Sequence, residues 1–142
     1  MNADWDLTPD ISRKQRLGFD ETIFCAGKSP DQIHRLLQAA LRAEEPLLLT
    51  RLDSEKFSAL SDELSRHLDY DEVSHTAILG HLPPPGDKPR VAIVSGGSSD
   101  VRVAREAART LQYYRVGVHE IYDVGVAGLW RLLERVEELR DM

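Results

Sequence analysis

Val91-Ala-Ile-Val-Ser-Gly-Gly-Ser-Ser-Asp100 decides the fold of this chain. Its first four residues are apolar at every position, as a parallel strand covered on both faces requires. The next five are only Ser and Gly, so the backbone there can approach a ligand closely. Asp100–Arg115 then reads as a helix, with Val101, Ala104, Ala108 and Leu111 on one stripe. A strand, a tight turn and a helix leave free N–H groups and the positive end of a helix dipole facing one point, where a phosphate fits. The spacing is not G-x-G-x-x-G, so a dinucleotide fingerprint is not supported. Ser95, Gly96, Gly97, Ser98 and Ser99 are candidate phosphate or ribose ligands. Asp100 either caps the helix or accepts from a ribose hydroxyl. A plain structural turn would use the same residues, and both readings stay open at this point.

Working forward, Val116–Tyr122 reads as a second strand, and Asp123-Val-Gly-Val-Ala-Gly128 as a second small-residue turn. Leu129, Leu132, Leu133, Val136 and Leu139 mark one last helix. If the two strands are parallel, both turns lie at the same carboxyl edge, where open α/β sheets bind ligands. Asp123 is then a candidate for binding a hydroxyl or moving a proton; the competing reading is a helix N-cap. A doubly wound domain has about five or six strands. Two interior-type strands without further neighbours are an aggregation liability unless something covers their edges. The expectation is the front part of a longer protein, or a chain that completes its sheet by association.

Working backward, His81-Leu-Pro-Pro-Pro-Gly-Asp-Lys-Pro89 is the clearest boundary, since its prolines fit neither a helix nor a central strand. Before it, Thr22–Cys25, Leu47–Thr50 and Ser74–Leu79 read as strands. Between the first two lies a helix that Ser29 caps, with Pro30 at its first position, Gln32 closing a capping box, and Ile33, Leu36, Leu37, Ala40 and Leu41 as its apolar stripe. A second helix is predicted from Asp53 and Ser54 through Phe57, Leu60, Leu64 and Leu68, with Arg66 and His67 in its last turn. Residues 1–19 are polar, with Pro9 and Gly18 as breaks, and Asp10, Arg13 and Arg16 spaced for one helical face. The domain reading is 1–82, a linker 83–89, and 90–142.

The bulk numbers exclude several classes. Eighteen Lys and Arg against 24 Asp and Glu give a net charge of −6 over 142 residues, which argues against a duplex nucleic-acid binder. Apolar residues make up 42%, too many for a disordered chain. Cys25 is the single cysteine, so neither an internal disulfide nor a cysteine zinc site forms; its apolar strand makes it a core residue rather than a nucleophile. His34, His67, His75, His81 and His119 form no paired metal motif. No run approaches the roughly 18 apolar residues of a membrane span, and the acidic N-terminus lacks a secretory signature. A cytoplasmic protein with no membrane or nucleic-acid partner is expected.

With these residues in place, the chain resembles a known family. Val91–Asp100 resembles the nucleotide-binding turn of PurE-type enzymes of purine biosynthesis. Ile121-Tyr-Asp-Val-Gly-Val-Ala-Gly-Leu129 instead looks like the PurE-like LarB family, which makes a precursor of the nickel-pincer nucleotide cofactor of lactate racemase. Arg13-Lys-Gln-Arg-Leu-Gly-Phe-Asp-Glu21 with Phe24-Cys-Ala-Gly-Lys-Ser-Pro30 is similar to that family's N-terminal signature. The resemblance runs from about Asp10 to the end. It implies an α/β chain in which a small N-terminal α/β unit precedes the first half of a PurE-like, flavodoxin-like, parallel-sheet domain.

It also implies a reaction. LarB-like enzymes carboxylate the pyridinium ring of nicotinic acid adenine dinucleotide and hydrolyse its phosphoanhydride, releasing AMP and pyridinium-3,5-biscarboxylic acid mononucleotide. A cysteine thiolate first adds to the ring and makes it nucleophilic toward carbon dioxide, so covalent catalysis divides one hard step. Carried over by residue, Ser95, Gly96, Gly97, Ser98, Ser99 and Asp100 match the phosphate and ribose turn, and Asp123, Gly125 and Gly128 match the second active-site turn. The family's Leu-His-Arg is Leu129-Trp130-Arg131 here, which leaves the role of that histidine without a residue. The family's catalytic cysteine and Met-Glu-Gly segment have no counterpart in these residues, so this chain alone is expected to lack carboxylase activity. Implied partners are the nucleotide, carbon dioxide or bicarbonate, and further copies in a homo-oligomer; no cofactor is certain, and Mg2+ is a candidate. The alternatives are a non-catalytic nucleotide-binding or self-associating module, and a PurE relative, against which the missing Ser-Ala-His-Arg pattern counts.

Overall fold

The computed structural model describes residues 13–82, 84 and 88–142. The arm with Pro9 and Asp10 lies outside the described residues, as do Pro83 and residues 85–87 of the proline-rich stretch. Two compact units emerge: one holds Asp69 and the described residues before it together with Ala77–Gly80, the other Tyr70–Thr76 and the residues from His81 on.

The first elements are α1 (Arg13–Leu17), β1 (Thr22–Phe24), α2 (Pro30–Ala43), β2 (Leu47–Thr50), α3 (Ser54–Ser58), α4 (Asp62–Ser65), β3 (Leu68–Asp71) and β4 (Thr76–Leu79). The α2 start is the expected reciprocal box: Ser29 Oγ accepts from the Gln32 N–H at 3.2 Å, and Gln32 Oε1 accepts from the Ser29 N–H at 3.0 Å. Four strands form a mixed sheet in the order β1-β2-β4-β3, with β1 parallel to β2 and β4 antiparallel to β2. Its apolar core comprises Ile23, Cys25, Ile33, Leu37, Leu48, Leu49, Leu52 and Leu79, all buried.

The expected single second helix is two short ones. Ser61 is extended and starts α4 afresh, followed by Asp62 and Glu63 in its first turn, where acidic groups favour a helix start. Leu68, expected inside that helix, instead opens β3. The strand expected from Ser74 begins at Thr76, because Asp71 accepts from the Ser74 N–H and hydroxyl, both at 2.8 Å, and closes a turn. His75 in that turn has φ +54°. The strand–helix–strand alternation therefore ends in a β3–β4 turn that apolar spacing did not signal.

The remaining elements are β5 (Val91–Val94), α5 (Val101–Tyr113), β6 (Val118–Ile121), α6 (Leu129–Leu133) and α7 (Val136–Arg140). β5 and β6 pair in parallel, with Val91 beside Val118 and Val94 beside Ile121. α5 packs on both strands. β6 and the residue that follows it alternate their faces: Glu120 and Tyr122 meet Arg105 of α5, whereas His119 meets Glu138 of α7 at 2.7 Å. Two expectations are corrected. β5 is only partly covered, with Val94 45% exposed, since its one strand neighbour among the described residues is β6. The last helix breaks at Glu134 and Arg135, where Arg135 leaves helical backbone at φ −109°, ψ 2°.

Candidate functional site

Because β5 and β6 are parallel, their carboxyl ends deliver both small-residue turns to one edge. The turns are joined backbone to backbone. The Ser95 N–H donates to Ile121 O at 3.0 Å, the Val124 N–H to Ser95 O at 3.1 Å, and the Gly125 N–H to Gly96 O at 2.8 Å. A Cβ on Gly125 would stand 2.5 Å from Gly96 O, so this approach requires glycine.

Ser95 closes β5 and is buried, and its hydroxyl has no hydrogen-bond partner among the described residues. A buried hydroxyl left unpaired is costly, so this one marks a place where a ligand group or water would be stabilised. Ser98–Asp100 forms a single 3-10 turn that runs into α5, and all three residues are exposed. The first N–H groups of such a start have no partner within the helix. Asp100 does not cap α5; its Oδ2 accepts from the Gly97 N–H at 3.1 Å. One donor of the turn is thereby taken by the protein itself.

In the second turn Asp123 adopts a left-handed conformation, φ +57°, which is uncommon for a side chain other than glycine. The N-cap reading for it is overturned. Its carboxylate pairs with Arg131 at 2.9 Å, and the residues before the following 3-10 turn and α6 are Gly125 and Gly128, without side-chain caps. Gly128 lies against that guanidinium, and a Cβ there would meet Arg131 Nε at 2.9 Å. Trp130 is exposed, as are Val126, Leu129 and Leu133.

Sequence reasoning missed a polar network beneath this turn. Arg105 on α5 binds Asp71 Oδ2 through Nε and Nη2, each at 2.6 Å, and lies 3.8 Å from Glu120. The Tyr122 hydroxyl donates to Glu120. Burial alone would raise the Asp71 carboxyl, but hydrogen bonds from Arg105 and Ser74 outweigh it and hold the carboxyl at about 2. Burial first, and then Glu120, push the Tyr122 phenol up to about 12. Further along the helix, Arg109 Nε reaches Thr76 Oγ1 at 3.3 Å. Two arginines four apart beside the α5 apolar stripe were the one local signal of this network.

Cys25 is fully buried, and burial pushes its thiol up to about 12 despite the opposing charges of Lys56 and Lys28. A thiol held that way is inert. Among the described residues no group of three or more His, Cys, Asp or Glu could hold a metal ion, and both acidic residues of the turns are already engaged, Asp100 by Gly97 and Asp123 by Arg131. No helix among the described residues is long and apolar enough to cross a membrane.

Residues 6–81 match the LarB/PurE-like N-terminal domain, more than half of the chain; the two turns lie beyond that match. An uncharacterized protein of Methanocaldococcus jannaschii is 29% identical over 140 residues, an alignment that takes in 94% of this chain and 54% of that protein. The chain thus spans about half the length of this curated relative.

Proposed function

The chain belongs to the LarB/PurE-like family, and from that premise we propose that its two joined turns form the nucleotide-holding part of a LarB-type carboxylase site. The observation that carries the reading is the junction itself. Two Gly-rich turns meet at the carboxyl edge of parallel strands, over a buried Ser95 hydroxyl that lacks a partner among the described residues. Ser98, Ser99 and the N–H groups at the start of α5 would receive phosphate and ribose oxygens of nicotinic acid adenine dinucleotide. Asp123, held by Arg131, would accept from a hydroxyl or take the proton that leaves the ring on carboxylation.

This chain contributes binding and orientation in that scheme. The thiolate that must add to the pyridinium would come from outside these 142 residues, since Cys25 is its one cysteine and is buried with a raised thiol. The steps given to the present residues use no metal. The reading includes a cytoplasmic setting and a homo-oligomer; the exposed apolar side chains Val126, Leu129, Trp130 and Leu133 support association.

The test is calorimetric titration of the chain with nicotinic acid adenine dinucleotide, AMP and inorganic phosphate. The dinucleotide is expected to bind tightest, with Ser95→Ala weakening it. An absence of binding, or equal affinity for phosphate alone, would overturn the reading. Incubation with the dinucleotide and bicarbonate is expected to yield no dicarboxylated product; its appearance would overturn the division of labour.

A further inference from the structure

The second turn holds a costly conformation between fixed points: Ile121 O before it accepts from the Ser95 N–H, and the Asp123 carboxylate pairs with Arg131. Val124 is buried and its N–H is fixed on Ser95 O, and Gly125 is fixed on Gly96 O. Between them and the strand stands Asp123 at φ +57°. Such backbone persists only where its surroundings over-determine it, so the chain just before Asp123 must be anchored as well. That residue is Tyr122, and nothing in the binding scheme uses it.

We propose that Arg105 is a positioning residue for this turn, acting through Glu120 and Tyr122. Its guanidinium is fixed by two 2.6 Å contacts with Asp71, and it faces Glu120 and the Tyr122 hydroxyl. Glu120 on β6 and Tyr122, the residue just past its end, are two apart and both meet Arg105 of α5. The phenol donates to Glu120 while Arg105 lies against both. Tyr122 is therefore pinned by its side chain, and the next residue has to turn left-handed for Val124 and Gly125 to reach the first turn. Hydrogen-bonded ion pairs are directional, so this one orients the groups that it joins. Here the oriented object is the peptide between Tyr122 and Val124.

The inference concerns the backbone of the proposed nucleotide site and rests on that reading only for its effect on affinity. Its direct readout is amide hydrogen exchange at Val124 and Gly125, the two donors that join the turns. In Tyr122→Phe, which deletes only the hydroxyl, and in Arg105→Met, exchange at these two amides is expected to rise roughly tenfold, the size expected for losing one charge-assisted hydrogen bond. The β5–β6 ladder amides should keep their protection. A purely structural role for Arg105 would raise exchange throughout the ladder as well. Uniform loss of protection in Tyr122→Phe, or no change at Val124 and Gly125, would overturn the proposal. Affinity for nicotinic acid adenine dinucleotide should fall in parallel. If the native chain binds none, the function proposed above fails, while the exchange result still decides the role of Arg105.

Discussion

The four-stranded and two-stranded sheets are held together by different means. The first is dry in its central strands: Leu48, Leu49 and Leu79 are buried, as are Ile33 and Leu37 of α2, and β4 is buried at every position. The second is partly covered, and polar groups position its strands: Arg105, Glu120 and Tyr122 on one face, joined there by Asp71 from the end of β3, and His119, Glu138 and Arg135 on the other. Apolar burial is strong but non-directional, whereas hydrogen-bonded ion pairs are directional and contribute less per group. The sheet that carries the two turns is the one built for orientation.

The contrast breaks most sharply at Leu49, which is fully buried. Leu49→Ala should lower stability by about 2–5 kcal/mol in urea unfolding and leave nucleotide affinity in the surviving folded fraction unchanged. A loss of affinity without a loss of stability would mean that the dry sheet also shapes the site. Gly125→Ala reverses the pattern. Its Cβ would meet Gly96 O at 2.5 Å, so the turns must part. Titration should show at least roughly tenfold weaker binding, about 1.4 kcal/mol, while the dry sheet unfolds as before.

Acid sharpens the comparison. Asp71 is held at about 2 against an ordinary 3.8. The stability from this depressed carboxyl is present above pH 4 and is lost as pH falls toward 2, about 1–2 kcal/mol in all. Asp71→Asn should remove that part of the acid dependence while leaving the rest of the profile in place, as followed by thermal melts from pH 5 to pH 2. The smallest effect is expected at Arg115, left-handed at φ +62° just past α5, where its N–H reaches Gln112 O and the Val116 N–H reaches Leu111 O. Arg115→Gly relieves that conformation and should stabilise the chain by about 1 kcal/mol at most, with no change in binding.

What the sequence discloses follows the same division. Ser29, Pro30 and Gln32 announce α2 because a cap is a local event, and Leu47–Thr50 and Val91–Val94 are strands by apolar run alone. The meeting of the two turns follows from strand order and small residues. Leu68 misleads because its spacing continues the helix stripe, and only Ser61 reveals the restart. The polar network was illegible because Asp71, Arg105 and Glu120 lie far apart in the chain, with no periodicity to connect them. Arg131 as the partner of Asp123 was hidden because their spacing crosses a turn and fits no helical or strand period.

The two-faced character of β6 carries one last consequence. Sliding this strand by a single residue would turn every side chain to the opposite face. Glu120 would then come toward Glu138, and His119 toward Arg105. The first of these encounters sets like charge against like in place of attraction. The slip would also bring the fully buried Ile121 out of place and part the two turns. The charges on β6 therefore favour the observed alignment over its one-residue slip.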